Sequence, residues 1–220
     1  MQVNTSGTPA PQPASVLPDP PTGKRLPAAE RRRQLIGIGL QLLTERPLGE
    51  ITVEEVSRRA GISRGLLFNY FPTRRDYHLA IIRAAMRRMS RIAEPPEGVA
   101  DEMKVKVVIE RFVAFLERRR DPYVAIIRGV AGGDAEVAEI YAESRDQLVD
   151  VVLRALGRRP TPALELLVAG WLGFVEETVL TWVNKPVMPR HELVRLLERA
   201  LLAIVERRTA PRDLPNGPAA

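Results

Sequence analysis

The sequence contains no cysteine among its 220 residues, and this absence excludes several kinds of chemistry. Disulfide bonds, thiolate metal sites and cysteine nucleophiles all need that side chain. The two histidines, His78 and His191, are far apart in sequence and lie in otherwise charged segments. The patterns G-x-S-x-G and H-E-x-x-H and the phosphate-binding loop are also missing. We therefore predict that the protein is not an enzyme and holds no metal or cofactor.

Signals for secretion or membrane insertion are also missing. The first residues, MQVNTSGTPAPQPASVLPDPPTG, carry neither the basic start nor the apolar stretch of a signal peptide. The longest uncharged apolar run, residues 166–175, is shorter than the roughly 20 residues that cross a bilayer. We expect a cytoplasmic protein with no membrane partner.

Positive charge is concentrated in one third of the chain. The net charge of the chain is +6. Residues 24–91 contain fifteen Lys or Arg and six Asp or Glu, whereas residues 92–220 contain eighteen Lys or Arg and twenty Asp or Glu. A polyanion is expected to bind the basic part. A solvated charged surface has the same composition, so charge alone leaves both interpretations open.

Proline-rich ends flank a helical body. Residues 1–27 hold seven prolines and few core-forming side chains, and we predict that they form a disordered arm, with a similar tail at 209–220. Between the ends, apolar residues recur at helical spacing and no strand pattern of useful length occurs. We predict an all-α fold in two parts, residues 28–91 and 92–208.

Two short helices follow a first helix that is predicted over residues 28–46. Thr52, with Glu55 three residues later, matches a capping box at the start of the second helix. That helix ends before Gly61, which can adopt a left-handed conformation, and Ser63 caps a third helix over residues 64–71. Two short helices joined by a tight glycine turn form a helix-turn-helix.

The third helix has an apolar face and a polar face. Leu67, Tyr70 and Phe71 share the first face and are expected to pack on the preceding helix. The other face presents Arg64, Gly65, Phe68 and Asn69, with Arg74 and Arg75 just beyond. In a major groove, arginine can bind guanine and asparagine can bind adenine. Packing of a small bundle gives the same apolar spacing, but the caps, the turn glycine and the basic flank together favour DNA.

This region resembles the TetR family of bacterial transcription regulators over residues 28–91. The matching positions are residues 35–43 and 51–63, then Gly65, Leu67, Phe68, Tyr70, Phe71, Pro72, Thr73, Arg74 and Asp76. The resemblance implies a transcriptional regulator, usually a repressor, with an N-terminal helix-turn-helix domain of three helices. It also implies a C-terminal helical domain, residues 92–208, for ligand binding and dimerisation.

The resemblance further implies DNA contacts at individual positions. Arg64, Gly65 and Asn69 would approach base edges. Phosphates would be held through charge, hydroxyls or helix N-terminal amides by Thr52, Ser63, Tyr70, Arg74 and Arg75. Leu66 and Phe68 replace hydroxyl-bearing residues that family members often carry, so two possible phosphate contacts are missing.

The last two helices, predicted over residues 162–184 and 189–208, indicate a homodimer. Residues 164–175 are apolar nearly all round, which indicates burial on more than one side. The pair looks like half of a four-helix interface. Its predicted residues are Leu166, Ala169, Gly173, Leu193, Leu196, Leu197, Leu201 and Ile204. A central helix of a monomeric bundle is the alternative.

A ligand pocket is predicted in the C-terminal part. Its candidate residues are Phe112, Phe115, Leu116, Tyr123, Ile127, Tyr141, Trp171, Phe174, Glu177, Thr178 and Trp182, although plain core packing is the better explanation for each residue taken alone. Such a pocket would favour a small, largely apolar effector molecule. The effector would release a homodimer from a near-palindromic operator in double-stranded DNA. The competing hypothesis is an architectural protein that coats DNA without sequence preference.

Overall fold

The computed structural model describes residues 26–209, except for the side chains of residues 128–131 and 207–209. The predicted arm and tail therefore lie almost entirely outside the described residues. Within 26–209 the chain forms helices and no strand, so the predicted all-α fold is confirmed. The helices are α1 Ala28–Glu45, α2 Val53–Ala60, α3 Arg64–Tyr70, α4 Arg74–Ala93, α5 Asp101–Arg118, α6 Arg120–Ala131, α7 Ala135–Ala155, α8 Pro162–Asn184 and α9 Arg190–Thr209, with a 3-10 turn at Leu48–Glu50.

Local side-chain chemistry sets the ends of α2. The Thr52 hydroxyl accepts a hydrogen bond from the Glu55 amide at 3.2 Å, and Gly61 follows the helix with φ 64°. The predicted capping box is only half formed, which corrects the sequence prediction. The Glu55 carboxylate binds Arg58 at 2.5 Å and Arg59 at 2.8 Å instead of reaching back to the Thr52 amide.

Two clusters of buried side chains fill the described part of the protein. The smaller cluster lies among α1, α2, α3 and the first half of α4, and the larger one joins α4 to α5–α9. Tyr77 and Ile81 of α4 belong to the smaller cluster, whereas Ile82 and Met86 belong to the larger. The division at residue 91 stays a prediction, because α4 contributes side chains to both clusters.

Helix α1 approaches α4 closely at Gly39. A Cβ atom on Gly39 would lie 2.5 Å from Cδ1 of Ile81 and 2.7 Å from the Tyr77 hydroxyl. That hydroxyl donates a hydrogen bond to the Leu35 carbonyl at 2.7 Å. Glycine at position 39 therefore lets α1 pack closely on α4, the helix that both clusters share. Gly37 has no such role, because a Cβ atom there would meet nothing within 4 Å.

Helix α8 has the length and composition of a membrane span, with a mean hydropathy of 1.4 over an 18-residue window. About a third of that window, 33%, is buried, and Val168, Trp171 and Val179 of α8 belong to the larger core cluster. A helix in the core of a protein can be equally long and equally apolar, so length and composition alone do not make α8 a membrane span. The largest apolar side chains of α8 left on the surface are Leu166 and Phe174, which are 74% and 46% exposed.

Candidate nucleic-acid interface

Helix α3 is anchored by its apolar face and open on its other face. Leu67 and Phe71 are fully buried in the smaller cluster. The predicted base readers Arg64, Gly65 and Asn69 are all exposed. Two large apolar side chains accompany them, since Leu66 is 36% and Phe68 is 41% exposed. The helix therefore presents a mixed polar and apolar surface of the kind that can contact base edges and thymine methyl groups.

The predicted phosphate-binding residues surround this surface, with one exception. The exposed Ser63 caps α3 by accepting a hydrogen bond from the Leu66 amide at 3.2 Å. Thr73 and Asp76 form a complete capping box at the start of α4. Thr52 is an exposed cap, Tyr70 is half-buried, and the guanidinium of the exposed Arg74 donates to the Gly49 carbonyl.

Arg64 is held by a weak ion pair in the free protein. Its Nη1 lies 2.9 Å from Oε1 of Glu54, and the two side chains are 67% and 63% exposed. Exposed pairs of this kind contribute little to stability. Arg64 can therefore leave Glu54 for a base or a phosphate at small cost.

Arg75 is the exception among the predicted phosphate contacts. Its guanidinium donates to both carboxylate oxygens of Asp134, at 2.8 and 3.0 Å, and to Glu136 at 2.7 and 3.0 Å. The hydrogen bond from Arg75 is the main cause that lowers the pKa of Asp134. These bonds connect the start of α4 to the start of α7, so Arg75 must leave both carboxylates before it can contact a phosphate.

Removing the two carboxylates is expected to free Arg75 for DNA. The variant Asp134→Asn with Glu136→Gln should bind all duplexes alike about three- to tenfold more tightly, with a salt slope steeper by about one. Asparagine at 134 still caps α7, where the aspartate accepts a hydrogen bond from the Val137 amide at 3.2 Å. Fluorescence anisotropy against salt concentration measures both quantities.

A second double variant controls for the change of net charge. Glu139→Gln with Asp146→Asn removes the same charge from exposed positions of α7 and should leave the salt slope unchanged. If Arg75→Gln in the otherwise unchanged protein reduces the salt slope by about one, then Arg75 already contacts phosphate in spite of its ion pairs.

Four of the predicted pocket residues serve other purposes. The indole N–H of Trp171 donates to the Leu197 carbonyl at 3.1 Å, and that of Trp182 donates to the Met188 carbonyl at 2.8 Å. Both tryptophans are buried and fasten α8 to α9 and to the loop before it. Phe174 and Glu177 are exposed. None of these four residues lines the small cavity at Phe115 and Tyr123, and their place in a pocket stays a prediction.

Phe115 and Tyr123 line a small cavity between α1, α4, α5 and α6. Its volume is about 50 Å³, and Met86 and Ile126 contribute to its walls. Room for a water or two is far below the roughly 300 Å³ at which ligand pockets begin. Phe112 and Leu116 are buried beside it, while Ile127 and Thr178 are half-buried. The cavity at Phe115 and Tyr123 is therefore too small for a ligand in this arrangement.

A polar network that the sequence analysis missed lies among α6, α7 and α8. Oε2 of Glu176 accepts hydrogen bonds from the Tyr141 hydroxyl at 2.6 Å and from Arg145 at 3.1 Å. Arg145 also donates to the Ala169 carbonyl at 2.5 Å. Burial, followed by the bond to Glu176, raises the pKa of Tyr141 to about 12. Tyr141 and Glu177 were among the predicted pocket residues, but Glu176, the neighbour of Glu177, is the glutamate that faces inward.

The predicted dimer surface needs correction on α9. Leu193, Leu197 and Leu201 are at most 1% exposed within one protomer, so no partner can reach them. Leu166 and Leu196 are exposed, whereas Ala169, Gly173 and Ile204 are half-buried. Phe174 and Leu202, which are 46% and 37% exposed, join the apolar surface of α8 and α9.

Two family models match this architecture. The model described as "Bacterial regulatory proteins, tetR family" covers residues 35–80, which include α2, α3 and the turn between them. The model described as "Tetracyclin repressor-like, C-terminal domain" covers residues 102–204. The chain belongs to the TetR family of transcriptional regulators. It is therefore a regulator with a DNA-binding helix-turn-helix and not an enzyme.

A solved TetR-family regulator resembles this chain in fold, and two HTH-type regulators resemble it in sequence. A solved regulator from Streptomyces coelicolor is 28% identical and superposes with a TM-score of 0.69 over 83% of each chain. The transcriptional activator FasR of Mycolicibacterium smegmatis is 23% identical over 168 residues, which are 74% of this chain and 76% of FasR. The regulator BetI of Escherichia coli is 30% identical over 90 residues, which are 37% of this chain and 45% of BetI.

Proposed function

We propose that this TetR-family regulator is a repressor that binds a near-palindromic operator as a homodimer and leaves it when a small, largely apolar effector binds. Such a protein works in the cytoplasm, where the chromosome lies. The observation that supports this function best is the exposure of Arg64, Gly65 and Asn69 on a short helix whose opposite face is fully buried. A helix held in this way can enter a major groove without moving its own anchors.

Competition binding separates this function from that of a DNA-coating protein. Genomic fragments retained by the protein would be sequenced, and the recovered site would compete against random duplexes. A regulator prefers its operator by about 10³-fold or more. Equal affinity for every duplex, with only a steep salt dependence, would mean a coating protein.

The proposed effector acts by widening the small cavity at Phe115 and Tyr123. Because the cavity at Phe115 and Tyr123 is about 50 Å³, a sizeable ligand binds only an arrangement in which its walls have separated. Met86 and Arg88 of α4 form part of those walls. Opening therefore displaces α4, which begins at Arg74 beside the DNA-facing helix. The polar side chains that line this cavity are those of Thr44, Arg88, Arg119 and Tyr123.

The direction of regulation is tested separately from DNA binding. The similarity to FasR, which is named an activator, gives activation as the second candidate. A reporter gene behind the recovered operator should be expressed less when the protein is present and more when the effector is added. Higher expression in the presence of the protein alone would mean activation.

Base recognition is expected to depend on Arg64 and Asn69. Replacing either with alanine should reduce discrimination between the operator and single-base variants by about 1–3 kcal/mol per contacted pair. Binding to a panel of operators with one changed base pair measures this loss. Arg195→Ala removes an exposed charge from α9 and serves as the control. If discrimination persists in both α3 variants, other residues read the bases.

A further inference from the structure

A concave surface lined by arginines lies between α1, α4 and α7. This arginine groove has a volume of about 480 Å³ and contains Arg33 of α1, Arg87, Arg88 and Arg91 of α4, and Gln147 of α7. No acidic residue lines it. Its remaining walls are apolar or glycine, so the groove concentrates positive charge in a cavity of ligand size.

The four guanidinium groups of the groove have no carboxylate partner among the described residues. Other arginines of the same region do, since Arg59 binds Glu45 and Glu55. Only Arg91 lies in the last turn of α4, where the helix dipole favours a cation. Like charges at close range are unfavourable, so an anion from outside the chain would stabilise the groove.

Crowding of positive charge extends to the rim of the groove. Arg88 also borders the small cavity beside α5, where the guanidinium of Arg119 stacks over the Phe115 ring at 5.1 Å. The pKa of Arg119 is lowered mainly by burial and, to a smaller extent, by the positive charges of Arg88 and Arg118.

The α4 arginines of the groove lie far from the DNA-facing end of that helix. Arg87 and Arg91 follow Arg74 by 13 and 17 residues, which corresponds to about 20 and 26 Å along a helix. A duplex held by α3 and Arg74 therefore leaves Arg87 and Arg91 free.

We propose that the arginine groove binds a small anion that carries two or more phosphate groups. Guanidinium groups donate paired hydrogen bonds to phosphate oxygens and remain charged at every physiological pH. A single phosphate engages one or two of them, whereas a diphosphate or triphosphate spans the gap between α1 and α4. The bound anion would clamp the first helix to the helix that both clusters share.

Titration of the full chain with tripolyphosphate, pyrophosphate and orthophosphate tests this proposal. Calorimetry at low and moderate salt should show one tripolyphosphate per subunit, bound at least tenfold more tightly than orthophosphate. If a nucleoside triphosphate binds more tightly than tripolyphosphate, the groove recognises a nucleotide. If the two bind equally, the groove recognises the phosphate chain alone. The absence of saturable binding would overturn the proposal.

Gly37 offers a matched pair of variants inside the groove. Because a Cβ there meets nothing within 4 Å, Gly37→Glu and Gly37→Gln should both fold. The glutamate adds a negative charge to the groove and should weaken tripolyphosphate binding at least tenfold, whereas the isosteric glutamine should change it less than threefold. Equal effects of the two substitutions would show that charge in the groove does not hold the anion.

A second pair of variants separates this groove from other basic surfaces. Arg87→Gln with Arg91→Gln should weaken tripolyphosphate binding at least tenfold and leave operator affinity in its absence unchanged. Arg158→Gln with Arg159→Gln removes two exposed arginines from the loop after α7 and should change neither. If the α4 pair weakens operator binding as much as tripolyphosphate binding, the groove belongs to the DNA surface and the proposal fails.

Discussion

Replacing Leu166 and Phe174 with glutamate is expected to give a monomer whose operator affinity is about 10²- to 10⁴-fold lower. These side chains are the largest exposed apolar groups of α8, at 74% and 46%, and lie two turns apart. In a two-fold dimer each meets the same apolar surface of the partner, so the introduced charges face one another across the interface. A monomer holds one half-site and loses the benefit of the second contact. Sedimentation and operator titration measure the two effects.

The choice of positions decides whether this experiment is informative. An aspartate at Gly173 is a poor probe, because its Cβ would lie 3.6 Å from Nη2 of Arg145 and could pair within the same protomer. Met103→Glu is the control for each introduced charge, since Met103 is 41% exposed on α5 and the substitution adds one glutamate, where the α8 pair adds two. A dimer that persists with both α8 substitutions would place the interface elsewhere.

The sequence predicts the N-terminal helices well because their limits depend on local chemistry. The hydroxyls of Thr52 and Ser63 each accept a hydrogen bond from the amide three residues later, and Gly61 can adopt the left-handed conformation that ends a helix. Such signals need no tertiary contact. The start of α8 at Pro162, after the capping Thr161, was predictable for the same reason.

The faces of α8 and α9 could not be assigned in the same way. A helix that is apolar nearly all round has no periodicity to show which side meets the core. Leu197 and Leu196 are adjacent leucines, yet one is fully buried and the other is 38% exposed. Arg75 presents a similar difficulty, because its partner carboxylates lie about 60 residues away in sequence. Contacts between distant segments set these outcomes.

Removing the Glu176 carboxylate is expected to be among the most destabilising single changes in the C-terminal half. Its side chain is only 12% exposed and receives hydrogen bonds from Tyr141 and Arg145. Glu176→Ala leaves the Arg145 charge, itself 24% exposed, and a half-buried hydroxyl without their acceptor. We expect the free energy of unfolding to fall by about 3 kcal/mol, which corresponds to a Tm lower by roughly 6–12 °C. Calorimetric unfolding of the purified variant checks this value.

The adjacent glutamate provides a matched control for this prediction. Glu177 is exposed and only accepts a hydrogen bond from Thr181 at 3.4 Å, so Glu177→Ala should change stability by less than about 0.5 kcal/mol. If the unpaired charge of Arg145 causes the loss of stability, then the double variant Arg145→Met with Glu176→Ala should be more stable than Glu176→Ala alone. Equal Tm values for the two alanine variants would show that the network contributes nothing.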